Sequence, residues 1–207
     1  MKAHYQFAGF LAVILILAFG LLYSARSVSA AAEGKITGTI KLDGTPPHQR
    51  PIDMSKEPVC QKEHAAHPVT TETVVTGPNN ALQYVAVYIS EGLPAAAASQ
   101  ASSETPTFDQ KGCQYIPHVL AVDVNQHFKV TNSDPHSHNI HPWMSGYHVV
   151  VKGPYGTSDN NGAYTISNVP PGNYTLTAWQ ETYGAQTQKV TVSAGAPAKA
   201  DFTFKAK

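Results

Sequence analysis

Charge is scarce in this chain of 207 residues: Asp, Glu, Lys and Arg make up only 14% of it, in equal numbers of basic and acidic side chains. A near-neutral balance argues against nucleic acid, whose binding calls for a concentrated basic face. Cysteine is scarcer still, with Cys60 and Cys113 alone. They form no C-x-x-C, and the C-x-x-C-H of covalent haem attachment is absent. The sequence also lacks G-x-S-x-G, H-E-x-x-H, a P-loop and G-x-G-x-x-G. No enzyme is therefore expected. No long amphipathic helical pattern occurs either, which leaves short strands and turns.

One apolar run stands out. Lys2 and His4 precede Phe7 to Tyr23, and Val28-Ser29-Ala30 supplies the small residues that a signal peptidase reads. Residues 1–30 are thus expected to be a signal peptide, or else an uncleaved anchor, since 17 apolar residues suit either. Both readings deliver the rest of the chain to the periplasm or the extracellular side. Lys2 and Arg26 are the only charges in that leader, so 12 Lys and Arg face 14 Asp and Glu in the remainder, a net of about −2.

From Lys35 onward the pattern is one of strands. Lys35 to Leu42 alternates and stops at Asp43-Gly44; Leu82 to Ser90 places Val85, Val87 and Ile89 on one face. Pro106 to Tyr115, Val119 to Val124, His127 to Asn132 and Tyr147 to Lys152 read as further strands. So do Ala163 to Ile166, Tyr174 to Trp179, Gln186 to Ser193 and Ala200 to Phe204. Fifteen Gly and fifteen Pro punctuate them. Strands every 8 to 12 or so residues predict an all-β chain built as a Greek-key β-sandwich. Thr45 to Pro68 reads as a long loop, and Leu93 to Pro106 as a surface loop or one short helix.

In an oxidising compartment Cys60 and Cys113 are expected to pair as a disulfide. The competing reading joins Cys60 with His64, or Cys113 with His118, as metal ligands. The strongest chemical signal is His136-x-His138-x-x-His141-x-x-Met144, with His148 beyond it. Imidazole suits Cu(II), Zn(II) and Ni(II), and a thioether adds preference for Cu(I). His136, His138, His141 and Met144 are the expected metal ligands, with copper first and zinc as the alternative. Asp134 reads as a carboxylate behind a ligand rather than a general base. His118, and more weakly His64 and His67, are reserve ligands. The bland reading is a solvated polar loop with Trp143 and Met144 plugging the end of the sandwich. Tyr155, Trp179 and Tyr183 could stack on sugar rings, although Trp179 suits a core better.

Two resemblances follow from these residues. Thr157-Ser158-Asp159-x-x-Gly162-x-Tyr164-Thr165-Ile166, then Asn168-Val169-Pro170-Pro171-Gly172-x-Tyr174-Thr175-Leu176, resembles the carboxypeptidase regulatory-like domain, a small transthyretin-like sandwich akin to carbohydrate-binding-like folds. Gly162 and Gly172 would permit its turns, and Tyr164 and Tyr174 would pack in its strands. Gly112-Cys113-x-Tyr115-x-Pro117-His118, Asn132-Ser133-Asp134-Pro135-x-x-His138-Asn139 and His141-Pro142-Trp143-Met144 resemble the cupredoxin-like part of exported bacterial proteins. That likeness implies a type 1 copper site of two His, one Cys and a weak Met. The sequence departs from it: the two ligand blocks overlap, and no cysteine stands where the thiolate belongs. Residues 31–148 are accordingly expected to be a cupredoxin-like region with a shortened ligand loop, and 149–207 the regulatory-like domain. Two functions follow. One is copper storage or transfer, with electron transfer a weaker option and a redox or copper-transfer protein as partner. The other is a carbohydrate-binding or adhesion module with polysaccharide as partner and a vestigial metal site.

Overall fold

The computed structural model describes residues 33–98, 103–140, 148–151 and 153–207. The expected signal segment, His141, Trp143 and Met144 lie outside those residues, as does the side chain of His148. Residues 32–207 form one compact unit, and everything below concerns it. No helix among the described residues is long and apolar enough to cross a membrane.

Strand β1 (Gly34–Asp43) shows how the sequence builds the fold. Ile36, Ile40 and Leu42 are buried while Lys35, Lys41 and Asp43 between them are exposed, the two-residue period of a strand with one wet face. It pairs antiparallel with β9 (Ala163–Val169) and parallel with β12 (Pro197–Lys199) and β13 (Phe202–Lys205). A second sheet runs in the order β11 (Gly184–Val192), β10 (Gly172–Gln180), β2 (Ala86–Glu91), β8 (Tyr155–Thr157), antiparallel throughout. One core lies between the two sheets. Ile36, Ile40, Tyr164, Ile166, Phe202 and Phe204 come from the first sheet, and Val87, Ile89, Tyr174, Leu176 and Val192 from the second. The expectation of an all-β sandwich holds.

The strand pairing crosses the boundary expected at 148/149. β1 and β2 belong to the stretch read as cupredoxin-like, yet they supply strands to both sheets of the sandwich formed with β8 to β13. The physical reason is burial: the C-terminal strands present apolar faces that β1 and β2 cover. What remains of that stretch forms two smaller sheets. β3 (Thr107–Lys111) lies between β4 (Gln114–Ile116) and β6 (Lys129–Asn132), and β5 (Leu120–Asp123) pairs in parallel with β7 (His148–Val151). The single strand expected from Pro106 to Tyr115 is thus a hairpin, β3–β4, broken at Gly112-Cys113. Thr76 forms an isolated antiparallel bridge with Leu82.

Gly162 and Gly172 play different parts. Gly162 sits at φ +69°, where its carbonyl accepts from the amide of Ile40, so a side chain there is strained. Gly172 is needed for space instead: a Cβ would stand 2.9 Å from the Tyr174 hydroxyl. Tyr164 donates from its hydroxyl to the carbonyl of Ala200 at 2.6 Å and Tyr174 to that of Pro170 at 2.6 Å, so both rings are buried with their polar ends satisfied. Trp179, better suited to a core on sequence, is half-buried on the face of β10 opposite Ala178.

Ser158 ties the start of the domain to β2. Its hydroxyl accepts from the amide of Val85 at 3.0 Å and donates to the carbonyl of Leu82 at 2.8 Å, and the residue is buried. Replacing Ser158 by Ala strands both backbone groups and is expected to cost about 1–3 kcal/mol. Leu176→Ala, which empties the middle of the core, is expected to cost about 2–5 kcal/mol. Urea unfolding of the two variants measures both; a loss below about 0.5 kcal/mol in either contradicts this account of the core.

Candidate functional site

The turn between β3 and β4 is the foundation of the site. Gly112 and Cys113 both adopt left-handed backbone conformations, with φ of +61° and +57°. Their consecutive amides therefore point the same way and form a small anion-binding nest. The carboxylate of Asp134 fills it, accepting from Gly112 N at 2.6 Å and Cys113 N at 2.9 Å. His138 adds a third donor, Nε2 to Asp134 Oδ2 at 2.7 Å. Burial raises the pKa of Asp134, but the two amides and the His138 ring outweigh it and hold the carboxyl down at about 2.

This contact shapes the loop that follows β6. Asn132 accepts from the Asp134 amide at 3.0 Å and donates to the His136 carbonyl at 2.7 Å, while the Tyr115 hydroxyl reaches the Asn139 carbonyl at 2.9 Å. Asp134, His136 and His138 alternate along the chain, and the folded loop brings all three to the same corner. The His136 and His138 rings meet edge to face with centroids 4.6 Å apart.

The disulfide forms the floor. Cys60, buried in the short helix α1 (Pro58–Glu63), is bonded to Cys113, with Cα atoms 5.9 Å apart and a sequence separation of 53. The expected pairing stands, and the competing use of either cysteine as a ligand beside His64 or His118 does not apply to the oxidised chain. Closing a loop of this length stabilises the fold by about 4 kcal/mol on the chain-entropy estimate. Above the bond lies His136, its Nε2 3.4 Å from Cys113 Sγ and 3.7 Å from Cys60 Sγ. Disulfide sulfur is a weak acceptor at best, and the other ring nitrogen, Nδ1, is buried with no partner among the described residues. Among the described residues, neither nitrogen of this imidazole is committed to a strong hydrogen bond.

One ligand atom from each of Cys113, Asp134, His136 and His138 can be chosen so that all lie within 4.8 Å of one another. Of the four expected ligands, His136 and His138 are brought together; His141 and Met144 lie outside the described residues. Asp134, read from the sequence as a supporting carboxylate, stands at the centre with them. Its signal was the alternation Asp-x-His-x-His. Cys113 could not be found this way, because 21 residues separate it from Asp134. Of the reserve ligands, His64 stays beside Cys113, in a second group with Glu63, whereas His118 and His67 go elsewhere. His118 lies beside Glu181 at 3.4 Å and Glu72 at 3.9 Å, under the Tyr84 ring. His64 Nε2 bonds the Gly112 carbonyl at 2.9 Å, and His67 is exposed.

The resemblance implies a type 1 copper site with a thiolate ligand. With both sulfurs tied in a disulfide there is no thiolate, so that site does not fit the oxidised chain. One carboxylate and two imidazoles do fit a borderline divalent ion.

Asp134 has a consequence for acid stability. Its carboxyl holds its proton less tightly folded than unfolded, so its contribution is complete above the ordinary carboxylate range and fades as pH falls from about 4 to about 2. Asp134→Asn is expected to lower stability at neutral pH by about 1–3 kcal/mol and to flatten that acid limb. Urea midpoints between pH 2 and 7 measure both; parallel curves for the two proteins contradict the assignment.

Comparison with known proteins adds the following. Residues 144–205 match the carboxypeptidase regulatory-like domain. No curated protein sequence matches the chain. Among solved structures, the chain resembles a Pseudomonas aeruginosa protein provisionally assigned as carbohydrate-binding, known from a crystal structure at 2.61 Å resolution. The likeness covers 84% of this chain and 89% of that one, at 17% identity and a TM-score of 0.29, too low to carry an argument about either fold or function. The C-terminal third of this β-sandwich therefore carries a carboxypeptidase regulatory-like domain.

Proposed function

We propose that this protein is an exported, non-enzymatic binding module that holds a divalent metal ion, copper first and zinc second, at the corner formed by Asp134, His136 and His138. The observation that carries the reading is the convergence of those three side chains, the His136 imidazole having no strong hydrogen bond among the described residues. Borderline ions favour such mixed nitrogen and oxygen donors. The nest at Gly112-Cys113 fixes Asp134, and Asp134 orients His138, the support that metal-binding histidines need. His141 and Met144, three and six residues further along the sequence than His138, are the expected remaining ligands. Without a thiolate the role is storage or transfer of the ion, handed to a copper-transfer partner, rather than electron transfer.

A second reading draws on a different observation. An open groove of about 500 Å³ runs over β2, β10 and β11, lined by Glu91, Asn173, Thr175, Lys189 and Thr191. Its hydrogen-bonding walls suit a polysaccharide, and it lies largely within the matched domain, whose relatives are commonly docking modules. Tyr174 beneath it is buried and offers no ring face for stacking, so recognition would rest on polar contacts alone.

Titration of the oxidised protein with Cu(II) and Zn(II) tests the first reading. One equivalent is expected to bind, and the His136→Ala/His138→Ala pair is expected to lower affinity at least about tenfold. Equal affinity in the variant refutes it. Retention on immobilised polysaccharide tests the second: binding that survives chelation and is weakened by Lys189→Ala and Glu91→Ala supports it. Passage of the wild type straight through the matrices removes it.

A further inference from the structure

The corner holds a feature that the metal reading leaves unused: the disulfide itself. We infer that Cys60 and Cys113, once reduced, become thiolate ligands beside His136, turning the same corner into a redox-gated site for Zn(II) or Cu(I). The inference rests on the metal reading above and adds to it the sulfur that the sequence seemed to have lost.

Distances carry the argument. In a tetrahedral zinc site the sulfur lies about 2.3 Å and the nitrogen about 2.0–2.1 Å from the ion, which puts a sulfur and a nitrogen ligand about 3.5 Å apart. His136 Nε2 stands 3.4 Å from one sulfur and 3.7 Å from the other. One imidazole thus already faces both cysteines at the spacing of ligands sharing a tetrahedral ion. The two sulfurs need only separate to about 3.8 Å, the corresponding sulfur–sulfur distance, once the bond between them is gone. Asp134 and His138 lie within the same 4.8 Å cluster and supply the fourth position. A carboxylate and imidazoles alone suit a borderline divalent ion; two thiolates with an imidazole favour softer ions and bind Zn(II) tightly.

The switching step balances as thiol–disulfide exchange with a dithiol reductant. A reductant thiolate attacks Cys113 Sγ, which is half-buried while Cys60 is buried, and the bond to Cys60 breaks with the electron pair leaving on Cys60 Sγ. The reductant's second thiolate then attacks its own sulfur in the mixed disulfide and releases Cys113. The reductant leaves as a disulfide, and two electrons have passed to the protein. The metal ion changes no oxidation state. Reoxidation by a disulfide donor reverses these steps and returns the ion to the weaker nitrogen and oxygen site.

The test compares the full chain oxidised and after reduction with a phosphine, using Co(II) as a spectroscopic probe and Zn(II) as competitor. Reduced protein is expected to bind Co(II) at least 100-fold more tightly than oxidised protein, with a near-ultraviolet thiolate-to-cobalt band and visible bands of a tetrahedral ion. His136→Ala is expected to remove most of that gain, and Zn(II) is expected to raise the melting temperature of the reduced chain. Binding by reduced protein no tighter than by oxidised protein, or without a thiolate band, overturns the inference and leaves the nitrogen and oxygen site standing. Failure of both forms to bind any of these ions removes the metal reading as well. A reduced chain that stays unfolded with Zn(II) present, or a His136→Ala protein that binds as the wild type does, also overturns it.

Discussion

Strand β1 is hydrogen-bonded to partners that lie more than a hundred residues away, and the sandwich depends on it. Its amides and carbonyls serve β9 through an antiparallel ladder and β12 and β13 through parallel ones. An unpaired strand edge is an open template for association, and the C-terminal strands alone would leave one there. β1 closes that gap and brings Ile36, Ile40 and Leu42 into a core otherwise assembled from residues beyond 70. β2 does the same in the opposing sheet by sitting between β10 and β8. The matched domain at 144–205 is therefore completed by strands from outside the match.

That arrangement positions the site. The segment between β2 and β8 leaves the sandwich and returns to it, and the strands it forms on the way are short. A short sheet has little apolar area with which to fix a loop. Here fixation comes from polar chemistry: a carboxylate seated on two left-handed amides, a covalent bond between α1 and the hairpin, and side chains of Asn132 and Tyr115 bonded to loop carbonyls. Charge-assisted hydrogen bonds are about twice as strong as neutral ones, which suits one buried carboxylate to organising several residues.

A single geometry serves both halves of the functional reading. The nest that orders Asp134 also sets the direction of Cys113, because the amide of Cys113 is one of its two donors. Whatever positions the histidines therefore positions the sulfur beneath them. In the oxidised chain this corner offers nitrogen and oxygen donors, and the redox state of one bond decides whether sulfur joins them. The polar groove on β10 and β11 is independent of that chemistry.

Local periodicity revealed the strands: alternating burial in β1, the Val85, Val87 and Ile89 face, and the tyrosine-bearing strands of the C-terminal domain all follow a two-residue pattern written in the chain. The two cysteines and the cluster of histidines were equally visible. Sequence alone could not show which strands share a sheet, since β1 pairs with strands at 163–205 and nothing local encodes a partner so distant. Nor could it place Cys113 beside His136, because that approach depends on a left-handed turn, a carboxylate 21 residues later and a disulfide 53 residues back. Side-chain chemistry is a local property of the chain, whereas the meeting of ligands is settled only when distant backbone groups find their hydrogen-bond partners.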